Sequence, residues 1–134
     1  MKTFLDSGVL LTAWRGSSAR HADAARAIMA DDAREFVTCD NVRLELLPKP
    51  FFEKHRSEAQ FYLDHFKLAT IEPFSPALGE AALALGKKYG LAAGDALNLA
   101  SAIRQGADEY ITGESPGKPM FRVSGIKFIS LHSL

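Results

Sequence analysis

The sequence is short of the residues that cross-link a chain and of the runs that anchor one in a membrane. Its 134 residues contain one cysteine, Cys39, so no internal disulfide can form, which fits a reducing cytosol. No apolar run approaches the ~18 residues expected of a membrane span. Asp6 follows Lys2 too closely to leave an apolar signal-peptide core. There is no repeat, low-complexity tract or linker. Neither sign of charge is in excess, with 16 Lys and Arg against 16 Asp and Glu. Proteins that coat nucleic acid by phosphate attraction alone are usually basic, so that class is disfavoured. A metal-dependent nuclease remains open, because bound cations bring their own positive charge to an acidic site. The chain is expected to be one soluble, cytoplasmic domain over residues 1–134, large enough for one core and too small for two.

Other chemistries are thinly represented. His21, His55, His65 and His132 are scattered, with no zinc-type His spacing and no second cysteine to join them. No glycine-rich phosphate-binding pattern occurs. Ser7, Ser17 and Ser18 have no base close in sequence.

What is present is an alternation of short apolar runs and helical patterns. Phe4-Leu5 reads as a very short buried strand that ends on Asp6. Val9, Leu10, Ala13 and Trp14 then recur at helical spacing, and Gly16-Ser17-Ser18 closes that helix and caps the next, which runs from about Ala19 to Asp32. Glu35 to Cys39 is a second strand, with Asp40-Asn41 as a cap. Val42, Leu44, Leu46 and Leu47 carry a helix interrupted by Pro48 and Pro50. Phe51 to Leu68 is predicted helical, with Phe52, Ala59, Tyr62, Leu63 and Phe66 on a buried face. A third strand lies around Ala69-Thr70-Ile71. Ser75-Pro76 starts a helix that ends at Gly90, and a further helix covers about Gly94 to Gln105. Glu109 to Thr112 and Lys127 to Leu131 complete five strands. Strands alternating with helices predict an α/β fold: a doubly wound, mainly parallel five-stranded sheet flanked by helices.

In a parallel sheet the carboxyl ends of all strands share one edge, where ligands bind. Asp6, Asp40 and Glu114 follow strands directly, while Glu45 and Asp95 reach the same edge from helices. Each acid has a plain alternative. Asp6 and Asp40 read as helix caps, Glu45 as a surface acid, and Asp95 as a first-turn acid favoured by the helix dipole. Together they say more, since several carboxylates in one place repel unless a cation sits among them. Oxygen ligands suit Mg²⁺ or Mn²⁺ rather than Zn²⁺, and such a site can hydrolyse phosphodiesters.

Four segments resemble the PIN domain family, and within it the toxin ribonucleases of the VapC type. They are Phe4-Leu5-Asp6-Ser7-Gly8-Val9-Leu10-Leu11, Val42-Arg43-Leu44-Glu45-Leu46-Leu47, Asp95-Ala96-Leu97-Asn98-Leu99-Ala100-Ser101-Ala102, and Ile111-Thr112-Gly113-Glu114. The resemblance implies that Asp6, Glu45, Asp95 and Glu114 are catalytic acids binding Mg²⁺ or Mn²⁺, with Ser7, Thr112 and Asn98 as auxiliary polar groups. It also implies an RNA substrate, an antitoxin protein partner and a homodimer. Arg15, Lys49 and Lys118 are candidate phosphate contacts. The chain departs from the pattern where Glu114 replaces the family's Asp, and where Ser115 to Pro119 lacks an aromatic that Phe121 would supply late. That departure motivates an alternative, a catalytically weak or inactive relative that binds RNA or protein.

Overall fold

A computed structural model describes residues 1–16 and 18–134; Ser17, read above as part of the break between the first two helices, lies outside the described residues. In chain order the elements are β1 (Lys2–Leu5), α1 (Ser7–Arg15), α2 (Ala19–Met29), β2 (Glu35–Cys39), α3 (Asp40–Leu46), α4 (Pro48–Phe52) and α5 (Arg56–Leu68). There follow β3 (Thr70–Glu72), α6 (Pro76–Tyr89), α7 (Ala93–Arg104), β4 (Glu109–Thr112) and β5 (Lys127–Ser130). The five strands form one sheet in the order β3-β2-β1-β4-β5, every neighbouring pair parallel. Among the described residues no helix is long and apolar enough to cross a membrane.

The order places β1 at the centre and makes the gap between β1 and β4 the topological switch point. The chain steps outward from β1 to β2 and β3, then crosses back to β4 on the other side of β1. Right-handed crossovers put the helices of the outward and return paths on opposite faces. Accordingly α1 packs on α2 and α5, while α6 packs on α7 and α7 on β2.

Strand register aligns the side chains that matter. Val37, Phe4 and Tyr110 stand abreast on neighbouring strands, and Phe4 and Tyr110 stack at 5.2 Å between ring centroids. Side chains alternate along a strand, so two residues further on the same face presents Cys39, Asp6 and Thr112. The ladder continues that far, because the Asp6 amide donates to the Ile111 carbonyl at 3.1 Å.

Helix boundaries follow local chemistry. Gly16 and Gly90 end α1 and α6 in the left-handed conformation that favours glycine. The Ser75 hydroxyl accepts from the Leu78 amide, with Pro76 at the first helical position.

Four expectations need correction. Ser18 precedes α2 but makes no side-chain cap hydrogen bond. Asp40 is not a cap but lies inside the first turn of α3, where its carboxylate pairs with Arg43 and accepts the Phe74 amide. Leu44 points outward, being 60% exposed. The helix predicted from Phe51 to Leu68 is two helices, broken at Glu53 to His55, where Lys54 adopts a φ of 58°. Phe52 therefore falls on the wrong side of a corner and is 88% exposed, whereas Ala59, Tyr62 and Phe66 are buried as expected.

A buried charge pair closes the opposite edge of the sheet. Glu109 accepts from Thr3 Oγ1 and from Arg34 Nε, each at 2.8 Å, and is almost fully buried. Removing the cation leaves that carboxylate in low dielectric with one hydroxyl partner. Arg34→Ala is expected to cost about 2–4 kcal/mol in urea denaturation, and adding Glu109→Gln to that variant should recover part of the loss.

Candidate active site

Asp6 sits at the switch point between β1 and β4, where the fold itself predicts a ligand crevice. It leaves the sheet in extended conformation, and its side chain does two things at once. Oδ1 accepts from the Val9 amide at 3.3 Å, capping α1. Oδ2 accepts a short hydrogen bond from Thr112 Oγ1 at the end of β4. The cap reading of Asp6 holds through Oδ1, while Oδ2 faces Thr112 across the switch point. Thr112 Oγ1 in turn accepts from the Glu114 amide at 3.0 Å, which shapes the loop after β4. Gly8 and Gly113 meet across the switch point: a Cβ on Gly113 would stand 3.5 Å from the Gly8 backbone, and one on Gly8 3.4 Å from Asp6 Oδ1. Both are ordinary van der Waals contacts, so the exits of β1 and β4 pack closely here.

Burial dominates the electrostatics of Asp6. It pushes the carboxyl up to about 7, against the lowering effect of its Thr112, Val9 and Gly113 hydrogen bonds, and the Asp95 charge pushes further in the same direction. Asp95, half-buried in the first turn of α7, is raised mainly by desolvation, then by the charge of Glu114, with Lys118 opposing. The two aspartates and Glu114 thus form a chain of mutually repelling charges along one edge.

Glu45 is placed differently. It lies on the exposed side of α3, yet its Oε1 accepts from Asn98 Nδ2 at 3.2 Å and Asn41 Nδ2 at 3.3 Å. Asn41 also donates to Asn98 Oδ1 at 3.0 Å, and Cys39 Sγ donates to the same oxygen at 3.4 Å. Asn98, one turn beyond Asp95, is almost fully buried and ties α7 to α3 while aiming Glu45. The sequence reading missed Asn41 as a partner of this acid. Its signal was the four-residue spacing to Glu45, which puts both on one helix face.

The remaining residues divide between two places. A cleft of about 370 Å³ brings Ser7, Arg15, Glu45, Lys49 and Tyr62 together. Glu114 is exposed on the β4–β5 side, 4.0 Å from Lys118 Nζ, and its carbonyl accepts from Ser130 Oγ. Phe121 packs on Phe128 at 5.4 Å and belongs to the core margin rather than to this loop's acid.

A divalent cation fits the donor chemistry: oxygen ligands throughout, with Cys39 buried and engaged with Asn98. It also fits the charge, since a cation would relieve the repulsion that raises Asp6 and Asp95. As the side chains stand, no three His, Cys, Asp or Glu groups among the described residues are gathered tightly enough to hold a metal. The acids are coupled in sequence along the edge rather than drawn into one cage.

The raised carboxyl has a consequence for stability without metal. A group whose folded value lies above its unfolded one favours the fold fully below the unfolded value, 3.8, and loses that contribution as pH rises through about 7. In chelator, Asp6→Asn keeps an acceptor for Val9 and removes the buried charge. It is expected to melt higher than the parent at pH 8, by at most about 4 kcal/mol of stability, and to lose this advantage at pH 4. A difference independent of pH would contradict the electrostatic account.

A profile of the PIN domain family matches residues 3–113. No curated protein matches the sequence. Among solved structures, the fold resembles that in VapBC2 from Rickettsia felis bound to a promoter DNA fragment, with TM-score 0.68, 17% identity, 97% of this chain and 98% of that one covered. It resembles VapBC-1 from nontypeable Haemophilus influenzae, with TM-score 0.68, 14% identity and coverage of 98% and 99%. It also resembles Mycobacterium tuberculosis VapC20, a sarcin-ricin loop cleaving toxin, with TM-score 0.63, 15% identity and coverage of 90% and 94%. With the matched segment running from the central strand through Gly113, and the acids carried on that sheet edge, the chain belongs to the PIN domain family.

Proposed function

We propose that this chain, as a single PIN domain over residues 1–134, is a Mg²⁺- or Mn²⁺-dependent endoribonuclease and the cytoplasmic toxin of a toxin–antitoxin pair. The observation that carries the reading is Asp6: a carboxylate buried at the switch point, hydrogen-bonded to Thr112 and repelled by Asp95. Family membership supports a nuclease. The RNA-cleaving and antitoxin-bound relatives of the same fold support the substrate and the partner.

Asp6, Glu45 and Asp95 would be the principal metal ligands, with Glu114 completing the set. A divalent cation held there supplies Lewis acidity and positive charge to a phosphodiester undergoing hydrolysis. The chain's own groups do the rest. Thr112 fixes the rotamer of Asp6, and Asn98 with Asn41 fixes that of Glu45. Arg15 and Lys49 stand in the cleft beside Glu45, where they can hold RNA phosphates, and Ser7 adds a hydroxyl to the same wall. Lys118 balances Glu114. A homodimer would set the width of the RNA groove, and an antitoxin would quench activity by covering it.

One observation favours the inactive alternative: Glu114 is exposed and turned to Lys118. Metal titration separates the readings. Calorimetry with Mn²⁺ should show binding that Asp6→Asn and Asp95→Asn each weaken severely, and both variants should lose Mn²⁺-dependent RNA cleavage by at least about a hundredfold while remaining folded by circular dichroism. Absence of Mn²⁺ binding at millimolar metal supports the non-catalytic reading, and full activity in either variant removes the proposed mechanism.

Asn98→Ala provides a finer check. It leaves every acid in place but releases Glu45 from α7. Metal affinity is expected to fall by roughly 10–100-fold, with Asn98→Asp failing to restore it because a carboxylate cannot donate to Glu45.

A further inference from the structure

The corner joining α4 to α5 carries exposed aromatic rings on a basic segment. Residues 49–56 read Lys-Pro-Phe-Phe-Glu-Lys-His-Arg, with three Lys or Arg against one acid in a chain whose charges otherwise cancel. Phe52 is 88% exposed and Phe51 57%. Phe51 borders two hollows. One, of about 370 Å³, it shares with Leu44, Pro48 and Phe74; the other, of about 500 Å³, it shares with Lys54 and Arg56. Phe74 is itself half exposed and is anchored by its amide to Asp40 at 3.1 Å. Among the described residues neither Lys54 nor Arg56 has an acidic group within ion-pair distance, whereas Lys49 only approaches Glu53 at 3.9 Å. The left-handed backbone at Lys54 is a conformation that a lysine seldom adopts, and it makes the turn that breaks the helix here.

These rings add little to the core, and Phe51 follows directly on the α4 residues that line the acid-bearing cleft. Helix α4 is the link: Lys49 and Pro50 line that cleft, while Phe51 lines the hollows beyond it. Flat rings interleaved with unpaired cations match unpaired nucleobases and the phosphates between them. A partner helix is the other occupant that exposed apolar side chains invite. Its apolar stripe needs a continuous groove, and Phe52, 88% exposed, lines neither hollow.

We infer that the α4–α5 corner binds single-stranded RNA, with Phe51, Phe52 and Phe74 stacking unpaired bases and Lys54 and Arg56 contacting phosphates. The strand entering the cleft is then an unpaired segment rather than a duplex. The inference rests on the ribonuclease reading for what the cleft does, but its binding step is measured without cleavage.

The test uses the full chain in chelator, titrated into a mixed-sequence RNA strand carrying 2-aminopurine, and into the same strand annealed to its complement. The single strand should bind about tenfold tighter than the duplex, with quenched fluorescence reporting stacking. Phe51→Ala and Phe52→Ala should each weaken binding about tenfold and reduce the quench, and Phe51→Trp should restore it. Lys54→Ala should lower the salt dependence of log affinity by about 0.7. Both phenylalanines are largely exposed, so the alanine variants should keep the circular dichroism spectrum of the parent. Equal affinity for strand and duplex, or alanine variants that bind and quench like the parent, overturns the inference and leaves the corner to a protein partner. If stacking holds but the parent shows no Mn²⁺-dependent cleavage, the ribonuclease reading alone falls. If cleavage holds but the alanine variants bind RNA normally, this inference alone falls.

Discussion

The structure turns on one carboxylate that the fold cannot leave alone. Asp6 emerges from the central strand at the single gap where neighbouring connections diverge, and it is 7% exposed. A buried ionised group is costly unless something compensates it, and two kinds of compensation are visible. The α1 amide end and the Thr112 hydroxyl satisfy the oxygens as hydrogen-bond acceptors. The charge itself remains uncompensated, which is why burial raises the carboxyl so far. The strand order, the α1 cap and the β4 loop all converge on the same two oxygens.

Around this fixed point the other acids are held with decreasing rigidity. Glu45 projects from the surface but is restrained by two buried asparagines, so its orientation depends on the contact between α3 and α7. Asp95 is half-buried and is carried by the first turn of the helix that packs back onto the sheet. Glu114 hangs in a Gly- and Pro-rich loop whose backbone, rather than side chain, is anchored by Thr112 and Ser130. Its carboxylate stands 4.0 Å from Lys118 Nζ on the exposed side of that loop.

The zero net charge conceals a local separation. Acids occupy the carboxyl edge of the sheet, while Arg15 and Lys49 stand in the adjoining cleft and Lys54 and Arg56 lie on the corner beyond. Positive charge in such a molecule is a property of a short path rather than of the whole surface, so composition alone underrates it.

The sequence by itself determined the five strands and most of the helices between them. Periodicity and cap chemistry are local signals, and Phe4-Leu5-Asp6, Ser75-Pro76 and Gly90 carry them within a few residues. It placed the interruption at Pro48 but misjudged the Phe51 to His55 region, because a helical pattern on either side concealed a left-handed residue at Lys54 that no local motif announces. It set cap against site for Asp6, where the structure shows one oxygen capping α1 and the other accepting from Thr112. Only the tertiary structure decided that β1 is flanked by β2 and β4, that Cys39, Asp6 and Thr112 stand abreast, and that Asn41 and Asn98 clasp Glu45. Apart from Asn41 and Glu45 on one helix, those are pairings between residues 33 to 106 positions apart, and they arise from strand order and helix packing, which depend on the whole chain closing one core.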